Sequence, residues 1–373
     1  MPFSGLALYN TGFPTGIAED VSDMISMISP TETPLLDRLT PPDSASANVL
    51  HEWLEEELTP NTVVSSTSID TAGTALSVHV GGTAMAPYLS VGAQIKNKTT
   101  GEYLQVSAIS GNTLTVTRGF GGSTVASLNA GHSLFVISDT ALEGSDVVGD
   151  RSRPRSRKTN YCQIFKKDIV VSGTMQAVTK LGGISNEFEH QKAQRLKESI
   201  RDLEKAVIQG KLSGNTLGSG SAYRTMRGVW DSLTTNVTST GTLTPTILDN
   251  IIRGAWDNGG TDVDVVLLDP NWKALTDTWQ DGRILTSNME GTYTRRVTKF
   301  MSSFADVDLQ LCRWMPANSL IVLASGRVKV VPLNGRSYQF VPVSRTGDSE
   351  KGMILGEYTT EVKNEEGMAK AYG

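Results

Sequence analysis

The chain is 373 residues long, carries a net charge of −5 at pH 7, and contains 38% hydrophobic and 20% charged residues. This length allows two or three domains with a sizeable core, and the proportions are those of a globular protein rather than a disordered one. The negative balance disfavours a dedicated nucleic-acid-binding protein, whose binding domain is normally strongly basic.

Cysteine usage and hydropathy restrict the compartment in which the protein works. Cys162 and Cys312 stand far apart without a CxxC motif, which is typical of unpaired thiols in a reducing cytosol. The N-terminus shows neither the basic region nor the apolar stretch of a signal peptide. No apolar run approaches the ~18 residues that a membrane span needs. We therefore expect synthesis in the cytoplasm and no membrane partner.

Charge is strongly segregated along the chain. Residues 1–60 hold ten carboxylates and one basic side chain, Arg38, whereas residues 151–167 hold seven basic side chains and no acid. Like charges crowded on one folded surface repel one another. We therefore expect both segments to extend from the body and to lie against the opposite sign, either in the same chain or in another copy.

The first 48 residues predict an arm with one short helix. Apolar residues recur at helical spacing from Val21 to Ile28, a pattern typical of an amphipathic helix. Pro30 ends this helix, because the residue before a proline avoids the α-helical region. Residues 51–58, with their three consecutive glutamates, then indicate an exposed strand.

Residues 68–138 change character and predict a small β-domain. Short β-prone runs alternate there with glycine turns, which is the pattern of an antiparallel barrel or sandwich. The expected strands are 76–80, 93–97, 103–109, 113–118 and 133–137. An acidic strand precedes this domain and a basic strand, 159–172, follows it. If the domain is inserted at the tip of a hairpin, those two strands become neighbours.

The remaining elements predict a long helix and an α/β region. The helix runs from 185 to 209, with Ser185 as a plausible N-cap and Gly210 as the stop; at ~1.5 Å per residue it is on the order of 37 Å long. Residues 243–334 alternate helices and strands, and Asp269 is expected to cap a helix that begins at Pro270. The strands expected from 263 onwards are 263–268, 307–312, 319–323, 327–332, 338–343 and 353–362.

Motifs that carry chemistry are weak. Gly218-Ser219-Gly220 does not complete GxGxxG, and Asp269 after an apolar strand is better explained as a helix cap than as a magnesium ligand. The four histidines are scattered, whereas a zinc site needs three or four ligands. Glu55 to Glu57 alternate faces along a strand and do not aim at one substrate. We expect no catalytic residue, metal or cofactor. The basic run could contact DNA, but pairing with an acidic protein surface is favoured.

The order of parts, together with two strings, resembles a known family. The strings are Ser29–Leu36 (SPTETPLL) and Thr159–Phe165 (TNYCQIF). They resemble the major capsid proteins of tailed bacteriophages with the Hong Kong-type (Johnson) fold, in the subgroup with a β-barrel inserted in the extended loop. The resemblance implies an α+β chain with five parts. They are an N-terminal arm (1–48), an extended loop (49–67 and 139–166), an inserted barrel (68–138), a peripheral domain with a spine helix (167–242 and 335–373) and an axial domain (243–334).

The resemblance also implies a function and partners. The chain would assemble into hexamers and pentamers of an icosahedral head enclosing double-stranded DNA without sequence-specific contact, with scaffolding, portal and decoration proteins as partners. Two other functions stay open at this point, a tail, baseplate, decoration or surface-layer protein and a soluble α/β enzyme. The residues expected to contact neighbouring subunits are Phe3, Tyr9, Phe13, Trp53, Glu55, Glu56, Glu57, Arg151, Arg153, Arg155, Arg157 and Lys158.

Overall fold

The computed structural model describes residues 32–59, 61–80, 82–146, 152–178, 186–213, 217–279 and 297–373, and these form two compact units. One unit comprises Met1–Glu52 with Thr159–Gly373, and the other comprises Trp53–Lys158. The described helices are α1 (Gly173–Ala177), α2 (Glu187–Gln209), α3 (Val229–Ser232), α4 (Pro245–Asp257) and α5 (Pro270–Thr276).

The described residues also form nineteen strands. Strands β1 to β10 are Leu50–Glu55, Thr62–Ser65, Ala75–Val80, Thr83–Ala84, Gln94–Asn97, Tyr103–Ser110, Thr113–Thr117, Ser133–Ser138, Ser156–Tyr161 and Gln163–Ser172. Strands β11 to β19 are Val237–Ser239, Val265–Leu268, Lys299–Met301, Asp306–Leu311, Ser319–Leu323, Val328–Pro332, Gln339–Val343, Ser349–Val362 and Ala369–Tyr372.

A two-stranded ribbon carries the chain from one unit to the other. Strand β1 pairs with β9, so the acidic strand that enters the Trp53–Lys158 unit lies beside the basic strand that leaves it. The prediction that an acidic and a basic strand are neighbours is confirmed for β9, which holds only the first residues of the expected strand 159–172. The rest of that expected strand is β10, which pairs with β18 instead. We call this pair, with its continuations to residues 58 and 152, the charged ribbon.

The Trp53–Lys158 unit contains a closed antiparallel barrel. Its strand order is β2-β8-β5-β6-β7-β3, and β2 also pairs with β3, which closes the circle of six strands. The five expected strands are confirmed as β3, β5, β6, β7 and β8. The expected start at residue 68 is wrong, because β2 is a barrel strand that we had placed in the extended loop. Four residues with two apolar side chains carry too little local signal to be assigned before the partner strands are known.

The other unit holds a mixed six-stranded sheet. Its order is β11-β19-β15-β12-β14-β13, with β11 parallel to β19 and β12 parallel to β14. Along β12, Val265 and Leu267 belong to one core cluster while Val266 and Leu268 belong to another that includes α4. Both faces of the sheet are therefore covered, which explains why β12 is apolar at every position.

A second, four-stranded sheet in this unit is built around the long strand β18. Strand β10 pairs along one edge of β18, and β16 and β17 pair along the other, all antiparallel. Two expected boundaries are corrected here. Strand β16, inside 243–334, joins this sheet, whereas β11 and β19, outside that range, join the six-stranded sheet. Strand pairing between distant segments leaves no trace in local periodicity, so sequence order alone misplaces these three strands.

Helix α2 is confirmed, with a different N-cap. The side chain of Asn186 accepts hydrogen bonds from the backbone N–H groups of Phe188 and Glu189, whereas Ser185 lies outside the described residues. At the other end Gly210 approaches the loop at Gly228 so closely that a Cβ at 210 would lie 2.9 Å from the carbonyl oxygen of Met226. The helix predicted between Val21 and Ile28 also lies outside the described residues.

Candidate assembly interface

The charged ribbon satisfies its own charges within one chain. Glu57 Oε2 lies 2.8 Å from Arg153 Nη1, and Glu56 Oε2 lies 3.4 Å from Arg155 Nε. Glu55 Oε2 is 3.9 Å from Lys158 Nζ. All of these residues belong to the Trp53–Lys158 unit. These three glutamates are therefore paired with basic side chains of their own chain, and the contacts to neighbouring subunits assigned to them stay a prediction.

Arg153 does more than pair with one glutamate. Its Nη1 donates a hydrogen bond to the backbone oxygen of Leu58 at 3.0 Å, and its guanidinium lies 5.8 Å from the ring centroid of Tyr88. A planar guanidinium combines an ion pair with stacking on an aromatic face in a way that lysine does not. Arg153 is thus fixed inside its own chain and holds the charged ribbon to the barrel.

The surface available to a partner is a mixture of charged and apolar groups. The side chains of Glu56 and Arg155 are each 64% exposed, and Leu58 is 89% exposed. Trp53 is half-buried and donates its indole N–H to Glu55 Oε1 at 3.0 Å. Arg157 lies in the described ribbon, whereas Phe3, Tyr9, Phe13 and Arg151 lie outside the described residues.

Two aromatic side chains near the end of the expected extended loop (139–166) are buried. Phe165 lies in the main core cluster, with ring centroids 6.4 Å from those of both Tyr338 and Tyr358. Tyr161 is also buried. Both residues belong to the Thr159–Gly373 part of the larger unit, so they contribute to its interior rather than to an exposed contact surface.

The end of the N-terminal segment is anchored by a buried carboxylate that the sequence reasoning missed. Glu204 Oε1 accepts the backbone N–H of Leu35 at 2.8 Å, and Oε2 accepts that of Leu36 at 2.9 Å. Leu35 itself packs in the core beside Leu203 and Val207 of α2. A signal was present, because Glu204 lies on the buried face of α2, three and four positions from buried residues.

Burial dominates the electrostatics of Glu204. Removal from water raises its pKa to about 7, although the two N–H groups it accepts from Leu35 and Leu36 act in the opposite direction. Further contacts hold the same segment. Trp314 Nε1 donates to the backbone oxygen of Glu32 at 2.9 Å, and Arg38 Nη2 lies 2.9 Å from Asp308 Oδ2. The chain between residues 32 and 39 is therefore tied to the larger unit by both core packing and polar contacts.

A second carboxylate sits where β1 begins. Glu361 Oε2 lies 2.7 Å from His51 Nε2, and Glu361 Oε1 lies 2.8 Å from Lys363 Nζ. The hydrogen bond with His51 and the lysine lower the pKa of Glu361 to about 2, against the effect of burial. Nearby, Ser46 forms a β-bridge with Leu333. These contacts fix the chain immediately before the charged ribbon.

The features of a reaction centre are weak in the described part of the chain. An open groove of about 650 Å³ in the Trp53–Lys158 unit has two titratable residues among its described lining, Asp139 and Asp146. Asp269 caps α5, its Oδ1 accepting from Trp272 N at 2.9 Å and its Oδ2 from Asn318 N at 2.9 Å, so the capping prediction is confirmed. Within the described ranges no cluster of three metal-ligand side chains occurs. No described helix has the length and apolarity to cross a bilayer.

Comparison with solved structures defines the class of protein. The chain is similar to the capsid of an empty GTA particle, at 10% identity and a TM-score of 0.56 over 98% of both chains. It is also similar to the capsid of Cyanophage A-1(L), at 12% identity and a TM-score of 0.53 over 98% of this chain and 99% of that one. A structure from Microbacterium phage Oxtober96 matches at 9% identity and a TM-score of 0.51, over 98% of both chains. This architecture is the Hong Kong-type capsid fold, with α+β content and a six-stranded antiparallel barrel.

The family is equally clear. Residues 7–373 match the SU10 major capsid protein family, so the chain belongs to that family. No curated protein sequence matches the chain. It is a major capsid protein of a phage head, a structural component of the virion rather than an enzyme, as predicted. Its copies form a homo-oligomeric shell. A role in a tail, baseplate or surface layer, and a soluble enzyme, are thereby excluded.

Proposed function

We propose that copies of this chain form hexamers and pentamers that close into an icosahedral head enclosing double-stranded DNA. The observation that carries the proposal is the near-complete coverage, since both the family match and the fold similarity extend over almost the whole chain.

The parts of the chain receive roles in this proposal. Residues 1–48 form the N-terminal arm, and the charged ribbon with residues 139–155 forms the extended loop that carries the barrel. The four-stranded sheet with α2 is the peripheral domain, α2 being its spine helix. The six-stranded sheet with α4 and α5 is the axial domain. The pairing of β16 with β18, and the place of β11 and β19 in the six-stranded sheet, support this division between the two domains.

Subunit contacts in this proposal depend more on apolar area than on charge. An exposed ion pair contributes only ~0–1 kcal/mol, so the ribbon charges set register and partner choice, where mismatched like charges are penalised. Affinity comes from apolar side chains such as Trp53 and Leu54 on the ribbon and Phe3, Tyr9 and Phe13 on the arm. Obligate assemblies bury on the order of 2,000–5,000 Å² per interface, and weak contacts repeated by symmetry give a stable shell.

The charge balance supports a container for DNA. A net charge of −5 avoids strong, salt-sensitive attraction between the wall and the phosphate backbone, so the genome is held without sequence-specific contact and can leave. Scaffolding, portal and decoration proteins are the partners that such a head requires.

Assembly of the purified protein tests the proposal. The chain is expressed alone and together with a candidate scaffolding protein, and the products are imaged by cryo-electron microscopy. We expect closed polyhedral particles with six-fold and five-fold capsomers. Tubes, flat sheets or a compact monomer at high concentration, obtained under every condition including co-expression, would contradict it. Tight binding of empty shells to duplex DNA with a steep salt dependence would contradict the proposal that the shell wall attracts the genome only weakly.

A further inference from the structure

The inserted barrel is almost free of charge. Its sequence from 61 to 138 has five charged side chains, Asp70, Lys96, Lys98, Glu102 and Arg118. Glu102 and Arg118 form a buried pair, and the carboxylate of Asp70 closes a turn by accepting two backbone N–H groups. Lys96 and Lys98 are therefore the two cations that this barrel presents to solvent.

Both lysines are held against aromatic rings on one outer face. Lys96 on β5 is in register with Tyr103 on β6 and Phe135 on β8, and its Nζ lies 5.1 Å from the Tyr103 ring centroid. Lys98 Nζ lies 5.5 Å from the Phe135 centroid and donates to Thr62 Oγ1 at 3.3 Å. Cation–π contacts of this length attract the ammonium groups to the rings. Among the described residues neither lysine forms an ion pair with a carboxylate.

The same face carries apolar side chains that the barrel does not need for its core. Phe135 is 38% exposed and Ile137 is 41% exposed. The alternate positions, such as Leu134 and Ile95, point inward and are fully buried. We call the outer surface formed by Lys96, Lys98, Phe135 and Ile137 the lysine–aromatic face.

The chemistry of this face selects its partner. Two cations neutralise too few phosphates to bind DNA well at physiological salt. Carboxylates next to apolar groups fit better, since carboxylates meet the ammonium groups while apolar groups cover Phe135 and Ile137. The partner is therefore an acidic, amphipathic protein segment.

This chain supplies such a segment. Residues 1–31 contain three acids, Glu19, Asp20 and Asp23, and no lysine or arginine, and the apolar residues between 21 and 28 recur at helical spacing. Thirty-one residues reach at most on the order of 100 Å when extended, far enough to pass to a neighbour from the point where Trp314 holds Glu32. We propose that residues 1–31 of one copy dock on the lysine–aromatic face of a neighbouring copy. This inference rests on the proposed shell.

Cysteine crosslinking in assembled shells tests the contact. The pair Met24→Cys and Ile137→Cys is introduced into the full chain, whose native Cys162 and Cys312 are buried. Mild oxidation is expected to give covalent dimers and larger oligomers on a non-reducing gel. The matched control pairs Met24→Cys with Ala75→Cys. Ala75 is exposed on β3, and β3 is not adjacent to β5 or β8. This control is expected to give little crosslinking.

Charge variants of the same cysteine protein give a second readout. K96Q with K98Q should lower the crosslinking rate roughly three- to thirty-fold, the effect of two exposed ion pairs. K211Q with K299Q, in the other unit, is the control and should change nothing. Reversal of both barrel lysines to glutamate should be rescued when Glu19, Asp20 and Asp23 are changed to lysine.

The outcomes separate this inference from the proposed function. Shells that form without the intermolecular crosslink, or that crosslink equally in the Ala75 control, overturn the inference. Crosslinks confined within single chains, identified by mixing copies of two sizes, overturn it as well. Failure of the unmodified chain to form shells under any condition sinks both proposals together.

Discussion

The buried ion pair of the barrel and the exposed ion pairs of the charged ribbon use the same chemistry in opposite environments. In the barrel, Glu102 and Arg118 lie 2.7 Å apart with side chains 0% and 6% exposed. In the ribbon, Glu56 and Arg155 lie 3.4 Å apart and both remain largely in water. Breaking a buried pair leaves an uncompensated charge, whereas breaking an exposed pair returns both groups to solvent.

The environment of Glu102 shows how the barrel accommodates its buried charge. Burial alone would raise the pKa of this carboxyl group, but hydrogen bonds from Arg118, Ala126 N and Gly119 N outweigh it and lower the pKa. Arg118 is also saturated, since its Nη1 donates to the backbone oxygens of Asp70 and Gly73. The pair thus links residues that are far apart in the sequence of the barrel, whereas each exposed ribbon pair adds little stability.

The largest effect is expected from Glu102→Gln. The substitution leaves Arg118 charged and buried without its counter-ion, and the cost is about 3–5 kcal/mol. Hydrogen–deuterium exchange of β6 and β7 amides in the full chain measures the loss of protection in the barrel. Glu56→Gln is the control and should change protection by less than ~1 kcal/mol. Equal effects of the two substitutions would show that burial does not distinguish these pairs.

A smaller effect is expected from Glu204→Gln. The amide keeps one acceptor for the N–H groups of Leu35 and Leu36 but turns its NH₂ group towards the other, which costs about 1–3 kcal/mol. Limited proteolysis of the intact protein should cut the segment 32–39 sooner. Glu198→Gln on the same helix, whose side chain pairs with Arg195, is the matched control. Unchanged proteolysis in both variants would remove Glu204 from the anchoring of this segment.

We expect two carboxylates to give the free energy of unfolding opposite dependences on pH. The pKa of Glu361 is lowered to about 2, so its stabilising contribution is present above the unfolded value near 4.5 and is lost as the pH falls towards 2. The pKa of Glu204 is raised to about 7, so its burial is increasingly unfavourable as the pH rises from about 4.5 to 7.

Denaturation of the full chain between pH 3 and 8 separates the two carboxylates. Glu361→Gln should flatten the acid side of the stability profile, and Glu204→Gln should flatten the slope between pH 5 and 7. If Glu204→Gln leaves the change of stability between pH 5 and 7 intact while Glu361→Gln removes it, the environments assigned to the two carboxylates are reversed.

The smallest effect on stability is expected in the charged ribbon. Neutralising Glu56 costs at most ~1 kcal/mol. Reversing Glu55, Glu56 and Glu57 to lysine places like charges opposite one another, which is penalised in strand pairing. We expect a large fall in the yield of shells and only a small change in the free energy of unfolding of the chain. Restoring the pairing with Arg153, Arg155 and Lys158 changed to glutamate should recover the yield, measured by particle counts in electron micrographs. If the yield does not recover, these side chains contact charged groups of a neighbouring subunit that require the original sign at each position.

Local sequence signals predicted much of the fold. The glycine turns between short β-prone runs indicated the barrel strands, and the order of an acidic strand, an inserted domain and a basic strand indicated that β1 and β9 are neighbours. Asp269 before Pro270 marked a helix start because a capping carboxylate and a proline at the first turn are local requirements. The glycine turns and the helix cap depend on residues within a few positions of one another, so they can be read from the chain directly.

The tertiary structure alone decided which distant segments meet. Three features join residues separated by tens to hundreds of positions. They are the placement of β16, β11 and β19 in their sheets, the pairing of β2 within the barrel, and the hydrogen bond from Leu35 N–H to Glu204. Strand pairing and burial depend on a partner surface, which no local pattern contains. Charge segregation along the sequence indicated that an acidic and a basic strand lie side by side. The contribution of each ion pair to stability depends on its exposure to water, which only the tertiary structure shows.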